Sequence, residues 1–271
     1  MTVKKILALL LALSLCFALA ACSNSGDNKN TNTDDSDKAY VQNKGTLIVG
    51  MTDFAPMDYK EDGSDEWIGF DADMAKAFAK YLGVDVQFLE LADWDAKAME
   101  LDTKAIDVVW KGMTISQEVK ELMSVSEAYC NNAQVVVLPA DKAADYQTEE
   151  NLAELSFAAE NGSVGADELD ARNISYTATQ NQAAALMEVA SGASDAAVID
   201  LLMAGAMIGE GTSYPNLTYT VQLSDEEYGV GFRKGSDLVD AFNSFWKEAY
   251  DAGTVMEVAT TYGVQESIIA K

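Results

Sequence analysis

Leu19-Ala20-Ala21-Cys22 sets a thiol directly after three small or apolar residues, at the end of an apolar run over 6–21. Lys4 and Lys5 precede that run. The pattern reads as a lipobox: small residues admit a peptidase, and the Cys22 sulfur accepts a lipid, palmitate among the acyl chains. The run is short for a membrane span and carries signal-peptide flanks. The expectation is a signal over 1–21, cleavage before Cys22, and a chain held extracytoplasmically on a bacterial membrane. Other reactive groups are few. Cys16 leaves with the signal, so Cys130 stands alone in the body and no intrachain disulfide is possible. The chain has no histidine. That removes His-containing zinc sites, Ser-His-Asp and Cys-His catalysis, and imidazole pH switches. No Gly-rich phosphate loop or paired CxxC occurs. No catalytic residue, metal or cofactor is expected.

The formal charge is −26, and removing Lys4 and Lys5 takes it to −28. Such a surface repels phosphate backbones, which argues against nucleic-acid partners. About 250 residues remain after cleavage, enough for one large domain or two ordinary ones. Residues 22–44 read as a lipidated flexible tether, because 23–38 are almost wholly polar.

Order is expected from Gly45. Thr46-Leu47-Ile48-Val49-Gly50 is a short apolar strand. Phe70, Met74, Ala77, Phe78 and Tyr81 recur at helical spacing, and Gly83 ends that helix. Strands at 84–88 and 106–110 bracket a helix over 95–101. A second series follows: strands at 133–138, 156–159 and 196–200, with a helix over 180–190. Helices after Gly235 close the chain. Strand alternating with helix implies an α/β protein with parallel strands, and two such series leave a cleft between them.

These residues resemble a known family. Gly69-Phe70-Asp71, Ile106-Asp107 leading to Gly112-Met113-Thr114-Ile115-Ser116, Tyr228-Gly229-Val230-Gly231-Phe232-Arg233-Lys234-Gly235 and Asp251-Ala252-Gly253-Thr254 fall in its order and spacing. The chain resembles the extracytoplasmic solute-binding proteins of polar amino-acid ABC transporters over residues 45–263. Asp93-Trp94-Asp95 and Trp110-Lys111-Gly112 look like the cystine-type branch. The resemblance implies a two-lobed periplasmic-binding-protein fold with two crossover hinge strands. Lobe one would span 45–130 and 228–271, and lobe two 132–227. A monomer would close on a small amino acid and deliver it to permease subunits.

The resemblance also implies a site. Asp200 would hold the ligand ammonium. Gly112, Met113 and Thr114 would offer backbone N–H groups and a hydroxyl, and Gly162 and Ser163 would face the ligand carboxylate. Phe54 and Trp67 would wall the pocket. Trp94 is a further candidate, and Trp110 stays open between core and pocket. Asp71 reads as an N-cap. One departure stands out. Relatives carry an arginine five residues after the loop threonine, and here that position is Val119. Only Arg172 and Arg233 occur in the chain, neither at a matching place. Lys111 is the candidate replacement. The alternative ligand is a small amine or modified amino acid without the usual α-carboxylate. An extracytoplasmic sensor and a dehydratase-like enzyme on the same scaffold are the other function classes weighed.

Overall fold

The computed structural model describes residues 36–271. The lipobox, Cys22 and residues 22–35 of the expected tether lie outside the described residues. Helix α1 (Asp37–Lys44) starts at Ser36, whose hydroxyl accepts from the Ala39 N–H. Strands β1 (Thr46–Met51), β2 (Asp85–Glu90) and β3 (Val108–Thr114) follow. Between β1 and β2 lies α2 (Phe70–Leu82), which buries Phe70, Met74, Phe78 and Leu82, while of the expected stripe Ala77 is half-buried and Tyr81 is exposed. Gly83 caps it in the left-handed conformation. Helix α3 (Lys97–Asp102) precedes β3, and α4 (Gln117–Leu122) follows it. Strands β4 (Ser124–Val125), β5 (Cys130–Pro139), β6 (Phe157–Glu160), β7 (Tyr176–Thr179), β8 (Ala196–Asp200) and β9 (Leu217–Phe232) complete the sheet. Helices α5 (Val164–Ala171), α6 (Gln182–Ser191), α7 (Leu201–Met207), α8 (Leu238–Asp251) and α9 (Thr254–Thr261) pack around it.

The strands run in the order β2-β1-β3-β9-β5-β8-β6-β7, with β4 also paired to β9. β1, β2 and β3 are mutually parallel, as are β6, β7 and β8. The long β9 joins the two groups. Its C-terminal part runs antiparallel to β3, and the rest runs antiparallel to β5. Tyr228 faces both Thr114 and Cys130 across these ladders. The C-terminal ends of β3, β6 and β8, which carry the candidate residues, therefore gather around the middle of the sheet.

An aromatic cluster fills the core beside this junction. Trp110 is fully buried, with its ring centroid 5.0 Å from that of Phe242. Tyr129 and Trp246 lie at the same separation. Trp110 is thus a core residue and not a pocket wall. Such edge-to-face and tilted contacts add to the large area each ring buries.

The expected tether ends too late. α1 is docked on the body by Asp37, whose two carboxylate oxygens each accept from Arg233 Nε at 2.9 Å. Arg233 also donates to the carbonyls of Leu101 and Ile106 and faces Asp107 at 3.4 Å. Lys44, at the other end of α1, reaches Asp107 at 2.6 Å. Local composition is polar here because the helix is held largely by charge, with Val41 its one fully buried apolar side chain. Removing Asp37 takes from Arg233 its shortest carboxylate contact and leaves a largely buried guanidinium with two carbonyls and Asp107 at 3.4 Å. Asp37→Ala is therefore expected to lower stability by roughly 2–4 kcal/mol in urea unfolding. A loss below about 0.5 kcal/mol, the scale of ordinary surface substitutions, would return α1 to the tether.

Candidate functional site

A cavity of about 150 Å³ opens where β3, β6 and β8 end. Lys111, Gly112, Met113 and Thr114 come from β3, Gly162 and Ser163 from the turn after β6, and Asp200 from the end of β8. The structure brings these seven expected residues together. Phe54 and Trp67 are not on the cavity wall. Phe54 is fully buried behind Lys111, and a Cβ on Gly112 would come within 2.4 Å of its ring. Trp67 is buried elsewhere, under the Lys60 ammonium at 4.3 Å. Trp94 does line the cavity.

Gly112 to Thr114 form strand, not the expected loop, with an irregular register between Val109 and Met113. Gly112 has φ +51, and both the Phe54 and Tyr228 rings occupy the space a side chain would need. Its N–H donates to Asp71 Oδ2 at 2.8 Å and is not free for a ligand. Asp71 is accordingly no N-cap. Gly69 precedes α2 without a side-chain cap, and Asp71 turns inward to accept also from the Tyr129 hydroxyl at 2.7 Å. Burial pushes the Asp71 carboxyl up to about 7, with the Tyr129 and Gly112 bonds opposing. Asp58, also fully buried, is raised by burial and by the Asp71 charge.

The Thr114 hydroxyl donates to Glu226 at 2.7 Å and keeps its acceptor capacity, and Thr114 lines the cavity. Ser163 Oγ accepts from the Ala166 N–H as the N-cap of α5, and the Ser163 N–H donates to the Glu160 carbonyl. What this turn offers an anion is the start of α5, where first-turn N–H groups lack intrahelical partners. Gly162 has φ +66, with Asp95 packed where its side chain would lie.

Asp200 is almost fully buried and heavily bonded. Gln182 donates to Oδ2 at 2.6 Å, Asn132 donates to Oδ1 at 2.9 Å, and Gln134 donates to the same oxygen. Asn132 and Gln134 also donate to Glu226. Burial raises the Asp200 carboxyl well above its ordinary value, and the Glu226 charge adds to that. An arriving ammonium would oppose both effects by favouring the ionised carboxylate. Gln134 Oε1 is buried without a partner and gives a second acceptor beside the cavity.

The feature that sequence reasoning missed is Glu160. It is fully buried at the end of β6 and accepts from Lys111 Nζ at 2.7 Å. Thr52 Oγ1 donates to its other oxygen at 3.3 Å. No arginine reaches the cavity: Arg172 pairs with Glu149 and Glu168, and Arg233 with Asp37. Val119, on α4, lines the wall. Five carboxylates line the cavity against Lys97 and Lys111. Burial holds the Lys97 ammonium below its ordinary value.

The family described as "Bacterial extracellular solute-binding proteins, family 3" matches residues 47–265. The arginine-binding extracellular protein ArtP of Bacillus subtilis is 28% identical over 224 residues, spanning 80% of this chain and 86% of ArtP. The L-cystine-binding protein TcyJ of Escherichia coli K12 is 26% identical over 223 residues, spanning 81% and 83%. A crystal structure of a mutant of ArgBP from T. maritima superposes with a TM-score of 0.77 at 30% identity, covering 83% of this chain and 98% of that one.

The raised carboxyls fix a pH dependence of stability. Asp71 binds its proton more tightly folded, at about 7, than unfolded, near 3.8. Between those values the folded state holds more protons, so stability falls as pH rises from about 4 to 7. The thermal midpoint is expected to drop across that window. Asp71→Asn, which keeps a hydrogen-bond acceptor without the charge, should flatten the slope. An unchanged slope in Asp71→Asn would remove Asp71 as its source.

Proposed function

Because the chain belongs to the bacterial extracellular solute-binding proteins of family 3, we propose that it captures a small polar amino acid in this cavity for an ABC importer. The observation carrying the reading is the convergence of Thr114, Asp200 and the α5 start on one cavity from three separate strand ends. Asp200 takes the ligand ammonium, helped by Gln134 Oε1 and the Thr114 hydroxyl. The carboxylate lies against the α5 first turn. A charge-assisted bond out of water is the strong element of such a site. The two sheet halves act as lobes, 45–130 with 228–271 and 132–227, and the ligand's contacts to both drive closure about β5 and β9. Helix α1 joins the first lobe through Arg233.

The protein acts as a monomeric receptor that hands its ligand to permease subunits, and not as an enzyme. No helix among the described residues is long and apolar enough to cross a membrane, and lipid on Cys22 is the proposed anchor. A second reading has one observation in its favour: five carboxylates and no arginine line the cavity. That balance suits a small amine without an α-carboxylate.

Thermal-shift titration over amino acids and their amine counterparts separates the two. Each true ligand raises apparent stability by about 2.7 kcal/mol at a hundredfold excess over its Kd. Asp200→Asn is expected to weaken binding about tenfold to over a hundredfold, from a lost bond of roughly 1.5–3 kcal/mol. Affinity should also weaken as pH falls through the raised Asp200 value, because the ammonium selects the ionised carboxylate. Undiminished binding by a folded Asp200→Asn protein would sink the role given to Asp200.

A further inference from the structure

Lys111 stands in the position of a bound cation. Its ammonium lies 4.6 Å from the Trp94 ring centroid and 5.0 Å from that of Phe54. Glu160 closes the third side at 2.7 Å. Two aromatic faces and one carboxylate are what general chemistry uses to recognise an alkylammonium or guanidinium group. All four side chains are buried. The box is therefore complete, desolvated and filled from within.

We infer that Lys111 is a built-in cation that plugs an aromatic–carboxylate subsite and so restricts the cavity to ligands with a short, uncharged side chain. This rests on the amino-acid receptor reading above. A ligand with a long cationic side chain would have to displace Lys111 from Glu160 and leave an ammonium elsewhere in a cleft. It would gain only what Lys111 lost. A short ligand needs none of this, because the carboxylates left for its ammonium are Asp200 and its neighbours, outside the box. The same geometry alters the role first considered for Lys111. Its charge is already matched by Glu160, so it is not a free replacement for the arginine absent at Val119. Lys111 here is a specificity-determining residue that fixes ligand length.

Excising the plug tests the inference without knowledge of the natural ligand. Lys111→Ala removes the propylammonium portion of the side chain beyond Cβ, and n-propylammonium is the matching probe. The variant is expected to be stabilised by n-propylammonium and to bind it at least about tenfold more tightly than the parent. Lys111→Ala should also gain binding of L-arginine that the parent lacks. The double variant Lys111→Ala/Glu160→Gln should lose the n-propylammonium response, since the carboxylate wall is gone. If Lys111→Ala folds poorly alone, refolding with the amine present should recover it. A folded Lys111→Ala with no response to the amine, or no recovery on refolding, overturns the inference. So does a parent that itself binds L-arginine, a result that needs no variant to fold. Failure of every short amino acid to bind the parent would instead sink the receptor reading and leave the plug result standing.

Discussion

The arrangement of this site turns on the Lys111–Glu160 ion pair. Its two members come from different halves of the sheet, β3 and β6, and both are removed from water. Desolvating two charges costs several kcal/mol each, and their attraction repays this only with good geometry and further partners. Those partners are present. The Phe54 and Trp94 rings face the ammonium, and Thr52 donates to the carboxylate. Removing either charge would leave the other exposed to the full penalty. The pair therefore ties the halves together most firmly where the cavity floor needs a fixed shape. Weaker bonds at the rim accompany it: Asn161 donates to Asp93 at 3.1 Å, and Lys97 donates to the Gly162 carbonyl at 3.5 Å.

A second polar network runs behind the first. Glu226 lies on β9 at the junction and accepts from Thr114, Asn132 and Gln134. Asn132 and Gln134, both on β5, donate also to Asp200. Thus Thr114 of the first half, the two strands β5 and β9 that join the halves, and the Asp200 carboxylate of the second share one set of hydrogen bonds. Any change of charge at Asp200 is felt at Glu226 and, through it, at Thr114. If Asp200 takes the ligand and β5 and β9 act as the hinge, as proposed, direct bonds couple the two, which is the physical requirement for closure to depend on occupancy.

Much of the fold was legible, and its physical basis explains the limits. The α2 stripe and the Gly83 cap could be read because periodicity and backbone freedom are local properties. The end of β8 at Asp200 was equally clear, since four buried apolar residues precede one carboxylate. The docking of α1 was not, because Asp37 and Arg233 are 196 positions apart. Asp71 was misread for a related reason: a carboxylate at a helix start looks like a cap whether it turns outward to N–H groups or inward to Gly112 and Tyr129. Gln134 did leave a signal, as the one amide within the apolar run 133–138 of β5. Glu160 left a fainter one, a lone acid closing a short buried strand.

The arginine missing at Val119 acquires its meaning from these buried groups. A guanidinium clamp fixes a carboxylate by paired hydrogen bonds in one plane, and a lysine cannot reproduce that geometry. Here Lys111 is already held by Glu160, and Val119 adds only apolar wall. In the proposed site the ligand carboxylate meets backbone N–H groups at the start of α5 and the Lys97 ammonium beside them, with Ser163 occupied in capping that helix. Such a set lacks the paired geometry of a guanidinium, while the ligand ammonium is assigned to Asp200 with Gln134 beside it. On that reading recognition is weighted toward the cationic end of the ligand. With the aromatic box closed by Lys111, the proposed cationic end meets Asp200 and is not a distant side chain.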